Sequence, residues 1–504
     1  MSNHITNQPA GVVTQLETDL DKLSLPNTSW KGMLKHFGPG LILMMTGVGT
    51  SHLITAPVAG GRFEYALLWC IPIAYIFKYY GFEMAFRFTN ATGKSLIEAY
   101  GTAWKKWPLW YVMITTIIQS AIGQAGRLVA AAAVAYYLFT TTLGFSFSQP
   151  VYGFVLGVTA VVILLRGNYA AVETATKILA GMLIASTFLV FFVTPVGGDA
   201  LSHFVIFETP AGSWLIIAAF LGLLPTGIDV SLQASEWGKA KKVGMGRVRP
   251  SLEKAGLAPT FDPFTSSKTD LAIDTSRIPG FGVEYCRRWF RIGLWDFRFG
   301  HIISFFLACI FLLLAAVWMY PNEVEGRAVM GEIARIFTDS LGQKMMLVFL
   351  LGAFAATFST AFNYFDGWPR IVGACCRNMF RSTASLQGIA REDLTDAHRR
   401  HWYSEYNIYR LTMLFSLVSS VAIIYGMPQP VYLVLVASAL ALFVAPVIYF
   451  LNLYYCLTVI PKTDKHFYPS KLETAFSWLS LIGFCVLTAI VILARVFNVE
   501  LFGV

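Results

Sequence analysis

The sequence predicts an all-α multi-pass membrane protein: two inverted repeats of five helices, with an eleventh helix outside them. Three observations carry this. Of 504 residues, 56% are hydrophobic and only 13% charged, where soluble chains carry roughly a quarter. Eleven apolar runs are long enough to cross a hydrocarbon core of about 30 Å as helices. The first and the sixth are each interrupted in mid-run by polar and helix-breaking residues. Five helices separate the two interruptions, and an odd number of crossings turns the second copy upside down. No run alternates with period two, so a bundle is expected and not a barrel.

Span one, 39–60, begins with "GPGLILMM" and then loses its apolar character in "TGVGTSHL" before Pro57. Span two, 65–86, ends near Glu83 and Arg87, which sit four apart on one helical face and are expected to pair. Span three, 108–138, carries Gln119, Gly123, Gln124 and Arg127 deep in an apolar run, whereas spans four and five, 150–166 and 171–194, are uninterrupted. Span six, 212–236, holds Gly222, Leu224, Pro225, Thr226 and Gly227 at its centre, with Asp229 just beyond and Glu236 near its end. Spans seven to eleven lie at 299–320, 343–366, 407–426, 430–457 and 474–496. "FNYFDGWPR" closes span eight, where Asp366 and Arg370 are expected to cap or gate.

Charge gives the orientation. With the N-terminus inside, 28 Lys and Arg fall on the cytoplasmic side against three outside, Arg62, Arg327 and Arg335, as the positive-inside rule requires. A cytoplasmic N-terminus, an external C-terminus and a plasma or inner membrane follow. The same bias accounts for the net charge of +9 and removes it as evidence for nucleic acid. Residues 1–37 read as a flexible cytoplasmic tail and 38–457 as a ten-helix core. Its repeats run over about 38–194 and 212–457, and 458–504 is a peripheral eleventh helix with the C-terminus. The cytoplasmic loop 238–296 is long for a connection. Its basic, aromatic end, Arg287 to Phe299, is expected to lie on the bilayer as an interfacial helix, and a regulatory plug is the sharper alternative. "REDLTDAHRRHWYSEYN" reads as a solvated helix. The seven cysteines show no disulfide or zinc spacing, and Cys375 and Cys376 are expected to pack or face lipid.

A helix broken in hydrocarbon frees carbonyls and N–H groups that cost several kcal/mol each if unpaired, so matched breaks are expected to line a substrate cavity. Its candidate lining is Gly49, Thr50, Ser51 and His52 from span one and Leu224, Thr226, Gly227 and Asp229 from span six. His52 can carry a proton or ligate a metal, and a packing histidine is the bland alternative. Asp229 is the one carboxylate near either break and is the second candidate metal ligand; it can also pair with His52 or Arg127. Gln124, Arg127 and Glu236 are the coupling or gating candidates, although an Arg127–Asp229 structural pair competes with any such role.

"GPGLILMM" followed by a central break, "ATGKSLIEAYG" at 91–101 and the Pro-centred break of span six resemble the Nramp family of divalent-metal transporters over about 36–457. The resemblance implies a LeuT-like fold and proton-coupled movement of manganese, iron or related ions. The family's DPGN in the first break, whose Asp and Asn bind metal, is here Gly49, Thr50, Ser51 and His52. Its MPHN is Leu224, Pro225, Thr226 and Gly227, and a proton-linked His matches Ser231. Where the family places acids on span three, this chain has Gln119, Gln124 and Arg127.

The expected function is therefore a secondary transporter of a divalent cation by alternating access. Without thioether or paired carboxylates, hydrated magnesium fits better than manganese or iron. The alternatives are a small organic or anionic solute with no metal bound, and a non-transporting receptor. The expected partners are the transported ion or solute, a coupling proton and the lipid bilayer. No phosphate loop, nucleophile motif or metalloprotease signature points to an enzyme or a cofactor.

Overall fold

The computed structural model describes residues 22–37, 48–49, 51–167, 169–321, 328–389, 391–427 and 429–496. Among the described residues each of the eleven expected runs coincides with helix, save the break in span six. The described part of span one is a π-helical turn, Ser51–Thr55, continued by Ala56–Phe63. Spans two to five are Cys70–Thr92, Trp107–Leu143 in three helical pieces, Gln149–Arg166 and Tyr169–Val193. Span six is split into Trp214–Leu223 and Val230–Ala240. Spans seven to eleven are Gly280–Trp318, Lys344–Met379, Glu405–Gly426, Pro430–Val459 and Lys471–Val496.

The break in span six has a local cause. Pro225 has no N–H to continue the ladder and its ring opposes the preceding turn, and Leu224 is already extended at φ −90°, ψ 132°. The break is then held by close backbone packing. A Cβ on Gly222 would lie 2.0 Å from the Ser438 carbonyl of span ten. Gly49 meets span eight in the same way, 2.0 Å from Thr360 Oγ1, and Gly60 meets span seven, 2.2 Å from the Leu312 carbonyl. Small residues thus let spans one and six sit at the centre of the bundle; most of the expected break in span one, residues 46, 47 and 50 among them, lies outside the described residues.

The long inner segment differs from expectation. Arg287 to Phe299 is not a separate interfacial helix; it belongs to the 39-residue helix Gly280–Trp318 that becomes span seven. Before it, Met245–Lys254 forms a helix whose buried Arg249 donates to the carbonyls of Thr92, Leu271, Pro259 and Asp270. One guanidinium therefore organises what composition alone reads as a loop. Of the expected N-terminal tail, residues 1–21 lie outside the described residues, and Trp30–Leu34 is a helix capped by Ser29, with Trp30 edge-on to Trp295 and Phe299. "REDLTDAHRRHWYSEYN" is not one helix either: a short turn at Asp396–Arg400 ends where Ser404 caps span nine. Cys375 and Cys376 are buried in packing, and Glu83 pairs with Arg87.

Candidate functional site

The six residues from Leu224 to Asp229 interrupt span six, and they are buried except for Asp229, which is partly exposed at depth. A Cβ on Gly227 would lie 2.2 Å from Asp229 Oδ1, so the carboxylate folds back over the glycine and would have to swing aside for any larger residue. Two cations flank this acid electrostatically, Arg127 from span three and Lys78 from span two, and Trp368 from span eight stands beside it. The Trp368 indole N–H makes no hydrogen bond of ordinary geometry.

Lys78 is fully buried. Its Nζ donates to the carbonyl oxygens of Gly222 and Thr226, 3.0 Å each, which are acceptors that the break has released from helical duty. Thr226 Oγ1 in turn lies 3.1 Å from the Tyr364 hydroxyl of span eight. Arg127 donates to the Gly123 carbonyl at 2.8 Å and stacks its guanidinium over Tyr364, 3.6 Å from the ring centre, with Trp368 at 4.9 Å. The expected Arg127–Asp229 pair is thus electrostatic only; among the described residues Arg127 closes no ion pair, and its Nε has no partner. Beside it, Gln124 donates to the Ala361 carbonyl at 3.0 Å. The oxygens of Gln119 and Gln124 and both amide atoms of Gln233 are buried without a partner. Polar capacity is therefore concentrated where spans three, six and eight meet.

His52 sits elsewhere. Its Nε2 is 2.9 Å from both the Tyr75 hydroxyl and the Ser304 carbonyl, and its Nδ1 is 3.1 Å from Ser51 Oγ. A carbonyl only accepts, so a neutral ring carries its proton on Nε2 and takes the Ser51 hydroxyl on Nδ1. Both nitrogens are engaged, and metal ligation would require this network to open. The described contacts of His52 tie span one to spans two and seven, whereas those of Asp229 tie span six to spans two, three and eight. Thr50 lies outside the described residues. Among those described, no group of three or more His, Cys, Asp and Glu could hold a metal. Removing the ring takes one hydrogen-bond partner each from the Ser51 hydroxyl, the Ser304 carbonyl and the Tyr75 hydroxyl, which keeps Ser304 Oγ at 2.6 Å, so His52→Ala is expected to cost about 1–3 kcal/mol and to slow transport at least tenfold. Thermal unfolding in detergent and vesicle uptake would check this, and wild-type values in both would exclude it.

Glu236 belongs to a third constellation, at the Lys- and Arg-rich end. It accepts from the Ser95 hydroxyl and lies 3.6 Å from Arg377, which also pairs with Glu405. Lys239 pairs with Glu98 at 3.0 Å, and Ser95 caps the helix Leu96–Tyr100 in a capping box with Glu98. The "TGKSLIE" stretch thus holds the end of span six, and Arg377 of span eight fastens that end to span nine. Burial raises the Glu98 pKa, but Lys239, Arg377, Lys94 and the Ser95 N–H outweigh it and hold the carboxyl at about 2. Because this is below its ordinary value, its contribution is present above about pH 4.5 and fades as pH falls toward 2. Glu98→Gln is expected to lose up to about 3 kcal/mol at pH 7 and to converge with the parent in acid. Melting curves against pH would show this, and a constant gap would refute it.

Lys78 is the residue that sequence reasoning missed. The signal was available, because a lysine midway along span two in "YIFKYY" is an ionisable group at mid-membrane depth.

Fold and site define a class: a multi-pass membrane protein of the LeuT-like fold. More particularly, part of the chain is similar to the Nramp family. Residues 40–241 match the model of the family described as natural resistance-associated macrophage protein-like. An uncharacterised protein of Pasteurella multocida is 23% identical over 495 residues, 95% of each chain. The metal transporter Nramp1 of rice (Oryza sativa subsp. japonica) is 31% identical over 114 residues, 22% of each chain. Among solved structures, a mutant of the Eremococcus coleocola manganese transporter superposes with TM-score 0.61 at 13% identity, covering 95% of this chain and 91% of that one. Mhp1, a nucleobase-cation-symport-1 family transporter with bromovinylhydantoin bound, superposes at 0.51 and 14% identity, covering 93% and 94%.

Proposed function

We propose that this chain is a secondary transporter working by alternating access, and that its cargo is a divalent metal cation bound at the break of span six. The observation that carries the reading is the carboxylate there. Asp229 stands partly exposed at the break, beside the Gly222 and Thr226 carbonyls that the Lys78 amine takes up, with no soft ligand among the partners described for it. A carboxylate oxygen suits a hard cation that keeps most of its water, so magnesium is favoured over manganese or iron. The rice and Eremococcus relatives, described as metal and manganese transporters, support the cargo class. In this reading Asp229 attracts the ion, and the Glu236–Arg377–Glu405 network closes the cytoplasmic side until span six moves. His52, with span one, completes the cavity wall. The N-terminus is cytoplasmic and the C-terminus external, in a plasma or inner membrane, and a proton is the coupling ion.

One observation favours a second reading. Lys78 and Arg127 place two positive charges around a single carboxylate, and such a site also suits a small solute bearing an anionic group. Reconstituted vesicles separate the two. The cation reading expects saturable uptake of magnesium or manganese that Asp229→Asn abolishes. Absence of divalent flux, with counterflow of an organic anion, would overturn it in favour of the second.

A further inference from the structure

We propose that Lys78 is a resident cation of the span-six break, a tethered ammonium that fills the carbonyl site formed by Gly222 and Thr226 and thereby holds the break in shape. This rests on the transporter reading for its functional meaning but not on the identity of the cargo. Three facts converge. The amine is fully buried, in surroundings where an isolated charge is prohibitively costly unless it is paired or hydrogen-bonded. Its two described partners are main-chain oxygens on either side of Pro225, 3.0 Å each, so one side chain bridges the end of the first half-helix and the start of the non-helical segment. Burial opposes the charge on the amine, and Asp229, on the far flank of the same break, favours it.

A helix opened in this way leaves carbonyl dipoles converging without a donor, and a free cation is one way to satisfy them. Here the chain brings its own. The chemistry predicts that a small monovalent ammonium ion can take the same place once the side chain is gone. It also predicts that the wild-type break needs no external monovalent cation to assemble. Because the tether belongs to span two, it also fixes Thr226 and Asp229 relative to that helix. Lys78 is thus a positioning residue for whatever the cavity receives.

The test is Lys78→Met in the full-length protein, purified in detergent and melted with methylammonium chloride at rising concentration, against choline chloride at equal ionic strength. The expected result is a melting temperature lowered by about 5 °C or more, at least half of it regained with methylammonium and not with choline, while the wild type responds to neither. If Lys78→Met does not survive extraction, the same amine in the extraction buffer is expected to recover monodisperse protein. Lys78→Gln keeps N–H donors without the charge and is expected to melt below wild type. Wild-type melting of either variant, or a loss that methylammonium does not repair, would overturn the proposal. Solute counterflow by the wild type reads the transport reading separately, so one can fail without the other.

Discussion

Asp229→Asn is expected to slow transport at least tenfold, more than the stability it costs by leaving Lys78 and Arg127 without their acid would explain. The substitution keeps size and shape, and the side chain is partly exposed, so little packing is lost. What changes is charge. Lys78 and Arg127 are both cationic neighbours of this carboxylate, and an amide leaves them facing each other across the cavity without a counter-ion. Divalent-cation uptake then loses its only acid, and an anionic cargo loses the balance that lets it leave again, so either reading predicts the defect. The two differ in binding: a cation should bind more weakly to the variant and an anion more tightly. Asp229→Glu tests geometry instead. Gly227 has no room for a Cβ because the carboxylate lies over it, so a side chain one methylene longer has to reach elsewhere, and partial activity is expected. Equal uptake rates for Asp229→Asn and wild type, at matched protein in the vesicles, would remove Asp229 from the site.

The architecture was legible because its causes are local. Apolar length and the Pro225 interruption are written in consecutive residues, and each produced the expected helix or break. The site was legible only where a side chain announces its own cost. Asp229 and Arg127 stand out as charges in apolar runs, and the structure brings them near each other where spans three, six and eight meet. Their partners did not stand out. Arg127 is satisfied largely by the faces of Tyr364 and Trp368 on span eight, and aromatic residues in a membrane span carry no mark that separates a cation platform from packing. Lys78 is satisfied by carbonyls 144 and 148 residues away, and every residue has a carbonyl. His52 shows the reverse failure. Its position in a break suggested a ligand, but the Tyr75 and Ser304 that engage it come from other helices, 23 and 252 residues distant. The loop 238–296 was misread for the same reason, since the carbonyls that Arg249 gathers have no sequence pattern.

Replacing Arg377 with methionine is expected to destabilise the protein by about 3–5 kcal/mol. The guanidinium is mostly buried and joins Glu405, at the start of span nine, to Glu236, near the end of span six. Methionine fills a similar length but leaves two buried carboxylates without their cation, which is the costly half of breaking a buried ion pair. If that is the origin of the loss, Glu236→Gln and Glu405→Gln added to Arg377→Met should recover most of it, because no unpaired charge then remains. A packing origin predicts no such recovery. Function should separate the variants differently. Span six has to move relative to spans eight and nine for the cavity to open toward the Lys- and Arg-rich side, and the triple variant no longer fastens that end. It is expected to melt near wild type yet transport with a raised KM, as a population shifted toward the inward-open state would from outside. Unfolding midpoints of the single and triple variants, with uptake measured from each side of oriented vesicles, test both halves of the argument. A single variant that melts with wild type would show that this network carries no load.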